Sequence, residues 1–210
     1  IFNGLGESNA TSFLNAPSAE LLGAEVEFEK VVALNDIGVK GFAGKDFIIR
    51  ANYTYTDSSV SADGDVFITP PSVNPSLGVN PLILSASGLY TDGRKLQGQS
   101  DHLANLQLGL EDFDAGWEAT VLLNYSSDRI RAVEDLSNGL PSIIEELPLT
   151  VDFVYNHDFK IAGGDYEFGF KVQNIFNDGY KASQTLGDTT VIVDSYDRGT
   201  TFAASLKRTF

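Results

Sequence analysis

The chain has 210 residues, with 29 Asp plus Glu against 14 Lys plus Arg, and its formal charge of −15 excludes a nucleic-acid partner, whose phosphates need basic side chains. Cys is absent, which removes disulfides, thiolate catalysis and Cys-based zinc sites, while 42% hydrophobic residues, 11% aromatics and 20 Gly are too rich in order-forming residues for a disordered chain. No apolar run approaches the ~18 residues of a transmembrane helix, yet a membrane is not excluded, because a barrel strand shows only alternate residues to lipid and reads as soluble on average.

No Met occurs, so the chain is expected to be a processed product or a piece of a longer one. Ile1-Phe2-Asn3-Gly4 has neither the charged nor the apolar region of a signal peptide. Residues 1–17 add little pattern and are expected to be the remnant of an extracellular loop; the patterned region runs over 18–210.

Seven segments alternate with a period of two, the signature of strands with one apolar and one polar face. Leu22, Ala24, Val26 and Phe28 oppose Glu25, Glu27 and Glu29. Phe47, Ile49, Ala51, Tyr53 and Tyr55 oppose Arg50, Asn52 and Thr54. Ala104, Leu106, Leu108 and Leu110 oppose Asn105, Gln107 and Gly109, and Trp117 through Tyr125 oppose Glu118, Thr120, Asn124 and Ser126. Leu147, Leu149, Val151, Phe153, Tyr155 and Phe159 face away from Thr150, Asp152, Asn156 and Asp158. Tyr166, Phe168, Phe170 and Val172 continue past Asn174 to Phe176, against Glu167, Lys171 and Gln173. Last, Phe202, Ala204, Leu206 and Phe210 oppose Thr201, Ser205, Lys207 and Thr209, with Arg208 on the apolar face where a cation can snorkel to an interface.

A soluble sandwich produces the same alternation. Two features point instead to a membrane barrel. Short Gly-containing links at Phe113–Gly116 and Ala162–Gly164 alternate with long polar stretches near Asp57–Leu96, Ala132–Glu146 and Asn177–Tyr196, as when one rim faces the periplasm and the other the exterior. The link from Val31 to Lys45 is longer than this scheme expects. Phe113, Trp117, Phe159 and Tyr166 sit beside the tight links, where rings favour a membrane–water interface.

The wider order of motifs carries a resemblance. Leu96-Gln97-Gly98-Gln99-Ser100 leads into a strand; Asn124-Tyr125 precedes Asp128-Arg129-Ile130; Glu145-Glu146-Leu147-Pro148 precedes a strand; Asn174-Ile175-Phe176-Asn177 follows; and a closing strand from Gly199 ends in Phe210. From about Ala19 onward this resembles the last strands of TonB-dependent outer-membrane receptors of proteobacterial type. The final strand is also similar to the terminal signature of outer-membrane proteins, with Phe202, Leu206 and Phe210 as the barrel-assembly signal.

The resemblance implies an all-β, antiparallel transmembrane barrel of 22 strands plugged by an N-terminal domain, of which about seven C-terminal strands lie here. It also implies import of a scarce bulky nutrient of siderophore, haem, vitamin or glycan type, driven by the TonB complex through a part outside this sequence. Outer-membrane lipid, the remaining barrel and plug, and the imported small molecule are the implied partners. Seven strands are odd in number and too few to close a barrel, so the missing strands are expected from a companion chain or an upstream region.

Charges on strands facing lipid cost about 2–4 kcal/mol at the midplane, so Arg50, Glu118, Asp152, Lys171 and Gln173 are expected to face the lumen. Asp128 and Arg129 are candidates for the extracellular rim. No catalytic constellation stands out. The two His residues, His102 and His157, fit interface or loop roles, and no HExxH or GxSxG pattern occurs, so neither an enzyme nor a cofactor or metal site is expected. Asp57, Asp63 and Asp65 are close enough to suggest calcium, but without EF-hand spacing they read as a solvated acidic loop. The competing functions are a passive porin, an autotransporter or adhesin barrel, and a soluble β-rich binding domain.

Overall fold

The computed structural model describes residues 15–36, 38, 41–68 and 82–209. The chain is all-β and antiparallel. Among the described residues the strands are β1 (Ser18–Ala33), β2 (Lys45–Ser61), β3 (Asp65–Ile68), β4 (Leu82–Ser85), β5 (His102–Asp112), β6 (Trp117–Ser126), β7 (Arg129–Ala132), β8 (Ile143–Glu146), β9 (Thr150–Ile161), β10 (Gly164–Gln173), β11 (Tyr180–Leu186), β12 (Thr189–Tyr196) and β13 (Thr201–Thr209), with a short 3-10 turn at Ala86–Gly88. Seven of them form one sheet in the order β1-β2-β5-β6-β9-β10-β13.

These seven are the segments whose alternation is visible in the sequence, and the register explains why the pattern holds across strands. Val26 stands opposite Tyr53, Tyr53 opposite Ala104 and Ala104 opposite Tyr125; further along, Val121, Phe153, Val172 and Phe202 form another cross-strand row. Every apolar face therefore lies on the same side of the sheet.

Two boundaries differ from the pattern. β9 begins at Thr150 rather than Leu147, because Pro148 has no N–H for the ladder. β10 ends at Gln173 rather than Phe176, because Asn174 turns to φ +54 and takes the backbone out of the sheet. The long connections expected to be plain polar stretches also hold strands: β3 and β4 pair with each other, and β12-β11-β8-β7 make a second, four-stranded sheet. Four-residue strands such as β7 are too short for a period of two to stand out.

The second sheet continues the first. β7, β8, β11 and β12 neighbour one another in the same sequence as β6, β9, β10 and β13, and each runs from its lower partner after a short break. The breaks fall at Ser127-Asp128, Leu147–Leu149, Asn174–Gly179 and Asp197–Thr200. The motif Leu96–Ser100 fills the gap between β2 and β7. On one side the Leu96 N–H donates to Ser58 Oγ at 3.1 Å, and on the other the Gly98 N–H donates to the Ile130 carbonyl at 2.9 Å.

The strand ends are staggered. Following the register, the turn end of the β9–β10 hairpin (Ile161 opposite Gly164) lies five residues beyond that of the β1–β2 pair (Ala33 opposite Asp46), four strand positions away. With ~3.3 Å per residue and ~4.8 Å between strands, the lower rim runs about 40° from the perpendicular to the strands. The sheet does not close: among the described residues β1 and β13 pair on one side only.

It is also a single layer. Among the described residues every substantial contact of a strand is with a ladder neighbour, and no element packs face-on against the large sheet. A hydrophobic cluster of described residues lies at its upper margin, where Ala62, Val66, Ala86 and Tyr90 come together with Ala16 and Leu89 against them.

Candidate functional surfaces

The two faces of the seven-stranded sheet are built differently. On the polar face the side chains bond across strands. Arg50 Nε donates to Glu29 Oε1 at 2.9 Å, Asn52 donates to Glu25, and Asn156 Nδ2 donates to Glu118 Oε1 at 2.7 Å. Lys207 Nζ reaches Glu167 Oε2 at 3.1 Å, and the Asn174 N–H donates to Asp152 Oδ1 at 2.8 Å.

Arg50, Glu118, Asp152, Lys171 and Gln173 thus share this face, as their alternation requires. Only part of the set comes together: Asp152 and Gln173 stand at one level on β9 and β10, with Lys171 two residues lower, level with Val154 and Ala203. Arg50 and Glu118 lie on other strands and bond to Glu29 and Asn156, so the five form a polar wall and not one convergent pocket. Apolar residues interrupt it: Ile48 and Val154 stand on the same side.

On the apolar face, rings gather in two belts. The lower one links Trp117 to Tyr155 at 6.3 Å between centroids, His157 to Phe159 at 5.6 Å and Phe159 to Tyr166 at 5.7 Å. Arg208 lies 5.7 Å over the Tyr166 ring and Lys45 5.9 Å over Trp117, where Lys45 also pairs with Asp112 at 3.1 Å. The upper belt holds Tyr53, Tyr55, His102 and Tyr125; the Tyr53 hydroxyl and His102 Nδ1 share a hydrogen bond of 2.8 Å. Between the belts the wall is aliphatic and aromatic throughout: Ile49, Leu106, Leu108, Val121, Leu123 and Phe153. Nothing covers it. On the last strand Phe202 and Leu206 are 68% and 66% exposed; Phe210 lies outside the described residues.

The breaks above the upper belt hold the polar chemistry that the sequence hides. At one of them Asn174, buried and left-handed, donates from Nδ2 to the Gly199 carbonyl at 3.1 Å and accepts the Thr200 hydroxyl on its own carbonyl at 2.9 Å. Asp128 is exposed in the break between β6 and β7. Arg129 bonds to Glu145, whose other oxygen accepts the Tyr180 hydroxyl at 2.8 Å. Burial pushes the Glu145 carboxyl up, but the bonds from Arg129 and Tyr180 outweigh it, and the group sits below its ordinary value.

A second knot joins Arg94 to Glu134 at 3.3 Å with both side chains only 9% exposed; Glu134 also accepts the Thr91 N–H at 2.8 Å and the Ser142 hydroxyl at 2.9 Å. Burial again raises this carboxyl, and the hydrogen bonds again win, leaving it lowered. A rim salt bridge is what the sequence suggests for Arg129, but its partners Glu145 and Tyr180, and the whole second knot, escape sequence reasoning because the residues lie far apart in the chain, as Thr91 and Glu134 do, and no local periodicity links them.

The acidic trio of the long loop does not assemble. Asp57 is tied to Lys95, which also contacts Asp101 at 3.2 Å, and among the described residues no three His, Asp or Glu side chains are grouped around a common point. His157 lies among rings of the lower belt. No family model, curated protein or solved structure matches this chain.

Proposed function

We propose that this chain is the C-terminal part of the wall of a TonB-dependent receptor in the bacterial outer membrane, importing a scarce bulky nutrient. The observation that carries the proposal is a single-layer antiparallel sheet whose apolar face, bounded by two aromatic belts, is covered by no other element among the described residues. A sheet in water must bury such a face against a second layer; hydrocarbon removes that need.

The dimensions fit. β5, β6, β9, β10 and β13 have 11, 10, 12, 10 and 9 residues, against the ~9–11 that a tilted strand needs to cross a bilayer. The oblique rim agrees with the ~35–45° strand tilt of barrels. The polar wall then faces an enclosed lumen, and the two polar knots, one in the upper sheet and one beside its β7–β8 turn, stand outside the membrane.

Parity narrows what completes the wall. With seven antiparallel strands, β1 and β13 run the same way, so copies joined β13 to β1 would meet in parallel. A closed antiparallel barrel needs an odd number of further strands from elsewhere in the receptor. The energy coupling, plug and ligand belong to that remainder and follow from the motif order alone.

The test is to purify the assembly from membranes and measure partition and conductance. Detergent dependence, a larger barrel partner, no open-channel conductance and loss of growth on one limiting nutrient after deletion are expected. A chain that stays folded and monodisperse in plain buffer without a partner would sink the proposal, and steady conductance would move it to a passive porin.

A further inference from the structure

We propose that the outer edge of β12 is a strand-addition site, filled by the upward continuation of the same strand that pairs with β13. This rests on the reading of the sheet as part of a closed wall, and adds that the closing strand rises well above the membrane and pairs there too.

Three observations converge. First, β12 (Thr189–Tyr196) leads into β13 (Thr201–Thr209) through only four residues, the two occupy the same position in their sheets, and neither has a neighbour on its outer side among the described residues. A strand laid along β13 and prolonged upward meets β12 next.

Second, β12 lacks the Lys and Pro that commonly protect an edge left in water, and its blunting is limited to a bulge at Val193. Thr189-Thr190-Val191-Ile192-Val193 is a run of five β-branched residues with no charge and no Pro. Val191 and Ile192 are each 58% exposed. Natural edges of this length are blunted by Lys or Pro, since an uncharged β-branched edge templates strand addition. The only charge in β12, Asp194, is engaged inward by Arg131 at 2.8 Å. The register shift between β11 and β12 makes Val193 a bulge, so the incoming strand pairs in two runs, Thr189–Ile192 and Asp194–Tyr196.

Third, the opposite edge shows how long a strand this wall accommodates. β1 has 16 residues and pairs with β2 without a break from Ala33 opposite Asp46 to Ser18 opposite Ser61, past the level at which the four later strands break. The occupant is thus an extended, neutral segment rich in β-branched or aromatic residues, held by main-chain hydrogen bonds.

The experiment places a photo-crosslinking residue at Val191, and separately at Ala203 in β13, in the receptor as it stands in native membranes, and maps the adducts by mass spectrometry. Both probes are expected to capture one segment of the remaining barrel, at points about twelve residues apart, the spacing of the probes themselves. Capture of a strand by Ala203 with no capture, a different segment or a second copy of this chain at Val191 overturns the inference and leaves the closed wall standing. Capture by neither probe overturns both. A probe at Thr189 repeats the measurement should the change at Val191 disturb assembly.

Discussion

Val121 offers the sharpest test of which solvent meets the apolar face. It lies four residues from Trp117 in the lower belt and four from Tyr125 in the upper one, on the same face of β6. At ~3.3 Å per residue that is about 13 Å along the strand, or roughly 10 Å of depth at a barrel tilt, from each belt, which puts it at the midplane. Val121→Arg there is expected to cost about 2–4 kcal/mol, some 30- to 1000-fold in the folded fraction. The same change at Tyr125, in the belt, should cost about 0–1 kcal/mol. At Thr120, one residue away on the polar face, it should cost less than at Val121. The assay is denaturant unfolding of the assembled receptor in lipid vesicles, followed by the mobility of the unheated form on gels. Equal losses at Val121 and Thr120, or no depth dependence between Val121 and Tyr125, would refute the assignment of the two faces.

Arg94→Met leaves Glu134 buried without its cation and is expected to cost about 3–5 kcal/mol of local stability, much of it recovered by adding Glu134→Leu; protease sensitivity of the Asp135–Leu140 turn reads both. The lowered Glu134 and Glu145 carboxyls contribute stability that is complete above their ordinary value of 4.5 and is lost as the pH falls through their folded values, so acid should open this turn first, with a weaker pH response in Glu134→Gln. Asn174→Ala removes the bond to Gly199 and leaves a Cβ residue less suited to φ +54, which should cost about 1–3 kcal/mol and expose the Asn174–Gly179 break to proteolysis.

The lower sheet was legible in the sequence because one of its faces is uniformly apolar. Tyr166, Phe168, Phe170 and Val172 must all point the same way, and a one-residue slip would reverse them. The upper strands were not legible. β8 reads Ile143-Ile144-Glu145-Glu146 and β12 reads Val191-Ile192-Val193, runs with no alternation. The polar wall was legible residue by residue, since Arg50 and Glu118 have no other face to occupy, but its pairings were not. Glu29 for Arg50 and Asn156 for Glu118 depend on the register between strands, which a single sequence does not display.

The difference between the two tiers has one physical origin in the proposed membrane. Inside hydrocarbon every backbone N–H and C=O must stay in the ladder, so a Pro, a left-handed Asn or an irregular stretch is confined to the levels above it. The four breaks obey this. Ser126 ends β6; the start of β9 at Thr150 lies level with Asn124, two residues lower, and the end of β10 at Gln173 lies two residues lower again. Over the same two strand positions the lower ends descend four residues as well, from Trp117 to Gly164. Two lines of strand ends, one set by tight turns and the other by Pro148 and Asn174, therefore run parallel across a slanted sheet. A slab of constant thickness crossed by tilted strands produces that geometry, and it also explains why the period of two stops where the slab does: above it both faces meet water, and nothing forces alternate residues to differ.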